Sequence, residues 1–142
     1  MKKLFILLLV LGILVSCSNN TPKETNKEVK TLTYIGEKEN WKATLIAKKS
    51  DRSDQYNYTM NIAYKGNTED LKAISKINYS FKIGLTEISR SEKRDNGLPS
   101  DKAIVYKDTG KIGFDFNEQT TIPFIIEWND KVEEFELNIN KD

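Results

Sequence analysis

The side chains able to do covalent or acid–base chemistry are few in this chain: Cys17 is its one cysteine, and it has no histidine in 142 residues. Without histidine there is no group that titrates unperturbed near neutral pH, and the commonest zinc ligand is missing. A serine nucleophile would then need a lysine three residues further on or a Gly-x-Ser-x-Gly elbow. Neither spacing occurs. Asp108-Thr109-Gly110-Lys111 shares its last residues with phosphate-binding loops but lacks their upstream glycine and following helix, so it reads as a hairpin turn. Asp51, Ser53 and Asp54 offer few oxygens for calcium, which takes about six to eight, and Arg52 sits among them, so this stretch reads as a polar turn. Glu133 and Glu134 are neighbours, and in a strand they point to opposite faces, which rules them out as an acid and base pair. Glu134 and Glu136 share a face that reads as solvated. No catalytic residue, metal or cofactor is therefore assigned, and the chain is read as non-enzymatic.

The elements around Cys17 give it a different role. Lys2 and Lys3 precede an apolar run from Leu4 to Val15, and small Ser16 stands before Cys17, which is the pattern of a helical secretory signal peptide over residues 1–16. The run is shorter than the roughly 17 to 25 residues of a permanent membrane-spanning helix. Leu14-Val15-Ser16-Cys17 resembles the lipobox of bacterial lipoproteins, which implies cleavage between Ser16 and Cys17 and an S-diacylglyceryl group on the Cys17 sulfur. With its thiol so occupied and no second cysteine present, the fold must hold without a disulfide. Residues 17–30 are polar apart from Val29 and read as a flexible tether that spans roughly 20 Å on average. Removing Lys2 and Lys3 from 22 basic residues leaves 20 against 21 acidic ones, a balance that gives no electrostatic case for nucleic acid.

Residues 31–142 carry repeated period-two patterning, the signature of half-buried strands. Thr31 to Ile35 is short. Trp41, Ala43, Leu45 and Ala47 form the inward set of the next strand, and Tyr56, Tyr58, Met60, Ile62 and Tyr64 that of the third. Thr68 to Ile74 predicts one helical turn capped by Thr68. Ile77, Tyr79, Phe81 and Ile83 alternate up to Gly84, where a bulge would let the strand continue through Leu85 to Arg90. Ser91 to Asp101 reads as a loop. Ala103 to Lys107 leads into the turn at Asp108-Thr109-Gly110, from which Ile112, Phe114 and Phe116 return. Ile122 to Trp128 and Val132 to Ile139 close the chain across Asn129-Asp130-Lys131, with Pro123 expected near a strand start or at an unpaired position. About eight alternating strands predict an all-β, immunoglobulin-like antiparallel β-sandwich, with an up-and-down barrel as the rival.

Two stretches, Gly36-Glu37-Lys38-Glu39-Asn40-Trp41 and Ile125 to Glu133 with its Trp128-Asn129, resemble small uncharacterised lipoproteins of Gram-positive bacteria. Lys38 stands where their pattern has serine. The resemblance implies lipid anchoring to the extracytoplasmic face of the cell membrane and a β-domain, and it names no ligand. The expected function is a membrane-anchored binding module for a protein or cell-envelope partner. The alternatives are a small-ligand carrier and a carboxylate-based cell-wall hydrolase. Trp41 and Trp128 stand at strand ends and are the candidate exposed aromatic binding residues, whereas the four tyrosines of the alternating strands are read as core.

Overall fold

A computed structural model describes residues 29–98 and 104–141, with residues 104–107 described by their backbone. The expected signal peptide, the cleavage point at Ser16 and Cys17, most of the tether and the end of the 91–101 loop lie outside the described residues.

Eight strands are present among the described residues, β1 (Thr31–Glu37), β2 (Trp41–Lys49), β3 (Tyr56–Tyr64), β4 (Lys76–Ile83), β5 (Thr86–Lys93), β6 (Ile104–Ile112), β7 (Ile122–Trp128) and β8 (Lys131–Ile139). All pairings are antiparallel, in the order β5-β4-β7-β8-β1-β2-β3-β6. The fold is thus all-β and sandwich-like, built from one sheet curled so that its halves face each other. β8 is the strand at which it bends. Ile122 to Trp128 pair along β8 from Leu137 to Lys131, while the far end of β8 pairs with Tyr34 and Ile35 of β1. At that crossing Gly36 is required by space, since a Cβ there would lie 2.3 Å from the Glu136 carbonyl oxygen. β5 and β6 remain the two edges of the order, so the sheet does not close as a barrel would.

Alternation puts the large side chains between the halves. Trp41, Ala43, Leu45 and Ala47 of β2 are buried, as are Tyr56, Tyr58, Met60 and Ile62 of β3. From the opposite half come Ile77, Tyr79, Phe81 and Ile83 of β4 and Ile122, Phe124, Ile126 and Trp128 of β7. Rings meet across the interface, Tyr58 with Phe81 at 5.8 Å and Trp41 with Trp128 at 5.7 Å, both edge to face. Such aromatic contacts add to the area they bury, and they let a chain with 30% charged residues hold together without disulfides.

Several local expectations are corrected. Gly84 is not a bulge: Ile83 pairs with Thr86, so Gly84-Leu85 is a two-residue hairpin loop, and its positive φ of 58° at the first central position is the type II′ pattern. β5 runs on to Lys93, which takes Ser91 to Lys93 out of the expected loop. Asp108-Thr109-Gly110 is not a turn but the middle of β6, where Asp108 faces Met60 and Gly110 faces Tyr58. Gly110 serves there by its lack of a side chain, for a Cβ would come within 2.6 Å of the Tyr58 ring. The returning strand at Phe114 and Phe116 is absent, since β6 ends at Ile112 and irregular backbone carries Phe116 into the core against Tyr34, Tyr56 and Phe114. The connector at Thr68–Ala73 is a 3-10 helix capped by Asn67 rather than Thr68, with Asn67 Oδ1 accepting from the Glu69 amide at 3.1 Å. Pro123 stands second in β7, one residue before the ladder with β4 begins, as its missing amide requires.

Candidate functional site

The two stretches that carry the family resemblance are far apart in sequence and adjacent in space. β1 and β2 are joined by Lys38-Glu39-Asn40, a turn closed by the Lys38 amide donating to the Trp41 carbonyl at 2.9 Å, which leaves the amides of Asn40 and Trp41 to be satisfied from elsewhere. Asn40 and Trp41 therefore present N–H groups inward. The acceptor for both is Glu133, on the same face of β8 as Phe135, Leu137 and Ile139 and only 5% exposed. Its Oε1 accepts from the Asn40 amide at 2.9 Å and from Asn40 Nδ2 at 2.7 Å, and its Oε2 accepts from the Trp41 amide at 3.2 Å. Three donors on one carboxylate compensate for taking a charge out of water.

Other groups hold the same end of the sandwich. The Lys65 amide donates to the Asn40 carbonyl at 2.7 Å, and Lys65 Nζ donates to the Lys38 carbonyl at 2.7 Å and lies 3.2 Å from Glu37 Oε1. On the facing half, β7 and β8 are joined by Asn129-Asp130, both with positive φ (43° and 62°), the type I′ geometry whose twist suits a two-residue hairpin. Asn129 Nδ2 donates to the Ala73 carbonyl at 2.7 Å and so ties the hairpin to the end of the 3-10 helix.

The candidate exposed aromatics are buried at this end. Trp41 is 0% and Trp128 6% exposed, so neither offers a platform to a ligand. The strand-end position that pointed outward in the sequence is covered by the opposing half: Trp41 packs edge to face on Trp128 and, at 5.0 Å, on Tyr64. The Trp41 indole N–H has no hydrogen-bond partner. Edge-to-face packing is the arrangement in which an N–H can face a ring, a weak interaction that offsets part of its desolvation. The residue missed in the sequence is Glu133. The signal was available: it is two residues before Phe135 and shares its face.

A second buried carboxylate sits where the two edge strands approach. Asp108 of β6 is 8% exposed and is met by Arg90 of β5, whose Nη2 donates to Oδ1 at 3.3 Å and lies 3.1 Å from Oδ2 without hydrogen-bond geometry. Arg90 Nη1 also donates to the Ser89 carbonyl at 3.0 Å. The Tyr79 and Tyr58 hydroxyls are close enough to feel this pair. Burial pushes the Tyr79 hydroxyl up to about 12, the negative charge of Asp108 adds to the rise, and Arg90 opposes it. Tyr58 is raised for the same reasons in the same order.

No family model matches the chain, and no curated protein or solved structure is significantly similar to it. The remaining candidates are structural in position. Asp51 and Asp54 lie in the exposed bend between β2 and β3, where the Ser50 and Ser53 hydroxyls accept from the Arg52 and Gln55 amides. Glu134 and Glu136 are exposed on the outer face of β8. Among the described residues no group of three or more Asp, Glu, His or Cys side chains is placed to hold a metal ion. Two open concavities at this end of the sandwich are polar. One of about 480 Å³ lies beside Asn40, Trp128 and Glu133, and another of about 470 Å³ lies across Lys131 and Val132 from it.

Glu133→Ala leaves the Asn40 and Trp41 amides buried without an acceptor and lowers unfolding free energy by about 2–4 kcal/mol. Glu133→Gln, which keeps one acceptor oxygen, loses less. Urea denaturation measures both, and a loss below about 0.5 kcal/mol for the alanine variant contradicts the assignment. The Tyr79 shift predicts a pH dependence of opposite sense to acid unfolding. A folded-state value raised from 10 to about 12 means that its contribution is complete below pH 10 and is lost as pH climbs from 10 to 12. That loss is about 1.4 kcal/mol per pH unit for one group. Difference absorbance of the folded protein against Tyr79→Phe reads it directly, and ionisation of Tyr79 near pH 10 would refute it.

Proposed function

We propose that this chain is a lipid-anchored, non-enzymatic binding module held on the extracytoplasmic face of a bacterial cell membrane. The observation that carries this reading is the N-terminal order Lys2-Lys3, apolar Leu4 to Val15, Ser16 and Cys17, since a cysteine at that point of a signal is the one the lipid transfer requires. Two acyl chains give stable attachment, because each buried methylene contributes about 0.8 kcal/mol. The absence of histidine and of any serine-lysine or nucleophile-elbow spacing supports a binding role over a catalytic one.

An anchor before β1 would give the domain a direction. β1 runs from Thr31 to Glu37, so the tether enters at the end carrying the Gly84-Leu85 turn and the C-terminal residues. The hairpins joined by Glu133 lie at the other end. With the tether attached through Cys17, that second end and the outer faces of both halves are presented to the cell envelope.

Cells expressing the full chain and fed a clickable palmitate analogue should yield a labelled protein in the membrane fraction. Cys17→Ser should abolish both the label and cleavage after Ser16. A processed Cys17→Ser protein that still sediments with membranes would overturn the anchoring.

A further inference from the structure

The outer face of β5, β4 and β7 holds an open groove of about 390 Å³, bordered by Arg90, whose guanidinium is turned to Asp108. Its origin is the length of its side chains. Register places Ser91, Asn78 and Glu127 in one row across the three strands and Ser89, Ser80 and Ile125 in the next. Four short residues thus occupy adjacent positions on two neighbouring strands. They are rimmed by longer ones, Lys76 and Lys93 beyond the first row and Lys82 and Glu87 beyond the second.

The first row is already ordered. The Ser91 hydroxyl donates to Asn78 Oδ1 at 2.7 Å, and Asn78 Nδ2 donates to Glu127 Oε2 at 3.1 Å. Asn78 is therefore fixed in orientation, with one amide hydrogen left over, and Glu127 keeps a second carboxylate oxygen. Side chains ordered before binding lose little entropy on binding, and serine has little to lose. In the second row, two hydroxyls stand beside Ile125, which is 36% exposed and supplies an apolar patch. The grid is fine: about 4.8 Å between strands and about 6.6 Å along one, comparable with the span of a sugar ring.

We propose that this groove binds a neutral, hydroxyl-rich ligand, a saccharide unit of a glycan chain. The inference rests on reading the domain as a binding module. Donors and acceptors alternate over the two rows as ring hydroxyls do, and Ile125 can take a C–H face. Glu127 repels phosphate or sulfate, and Lys76, Lys93 and Lys82 around the rim offset its charge, so neither an anion nor a polycation is favoured. An extended peptide would be recognised by unpaired backbone at a sheet edge, which here is the far side of β5, whereas the groove floor on β4 and β7 is paired on both sides.

The test titrates the isotope-labelled full chain in detergent micelles with three neutral tetrasaccharides, N-acetylchitotetraose, cellotetraose and maltotetraose, and with an alanine-rich tetrapeptide. At least one sugar should shift the amide signals of Asn78, Ser80 and Ser89, and the peptide should not. Asn78→Ala and Glu127→Ala should each weaken that sugar roughly tenfold or more, the loss of one good hydrogen bond. Lys42→Ala, on the outer face of the other half, should leave its affinity unchanged. Sugar-independent groove signals, or groove shifts with the peptide alone, would overturn the proposal. Palmitate labelling is independent of this result, so failure of the groove and failure of the anchor are read separately.

Discussion

One carboxylate fixes the geometry of the domain's far end. Glu133 stands on the strand at which the sheet bends, and it accepts hydrogen bonds from a hairpin of the opposing half. A sandwich made from a single curled sheet needs such a connection, because its backbone ladders run along the sheet and hold each half without fixing one against the other. Ring packing between Trp41 and Trp128 is favourable but tolerates sliding, whereas a carboxylate aimed at two adjacent backbone amides does not. Gly36, two positions from the hairpin loop, is the counterpart in bare volume. It lets β8 pass close enough for Glu133 to reach.

The architecture was largely legible from period-two patterning, for a simple reason. Tyr56, Tyr58, Met60 and Ile62 alternate without interruption, and their burial is what such alternation means. Where the reading erred, tertiary contacts overrode local turn chemistry. Asp108-Thr109-Gly110 is turn-like in composition, yet Arg90 supplies a partner for Asp108 and the Tyr58 ring needs the space that Gly110 leaves. Phe116 keeps a strand-like spacing from Phe114 but reaches the core from irregular backbone. Trp41 and Trp128 looked terminal in one dimension and are covered in three. Glu133 was legible in principle, since it shares the face of Phe135 and Leu137. A charged residue beside Glu134 reads as surface until the hairpin that satisfies it is known.

A similar distinction separates the buried polar groups from those on the outer sheet face. Of the buried carboxylates, Glu133 is hydrogen-bonded through both oxygens and Asp108 through one, with Arg90 as its ion-pair partner. The groups left with bonding capacity, Asn78, Glu127 and the serines beside them, lie on an outer sheet face.

Amide hydrogen exchange at Asn40 and Trp41 in the full-length protein tests the central claim most directly. Both amides belong to a loop and a strand end, positions that ordinarily exchange early. If Glu133 joins the two halves, they exchange only with global unfolding, at the slow rates of Leu45 and Met60 in the core strands. Exchange as fast as that of the exposed bend from Asp51 to Asp54 would contradict it.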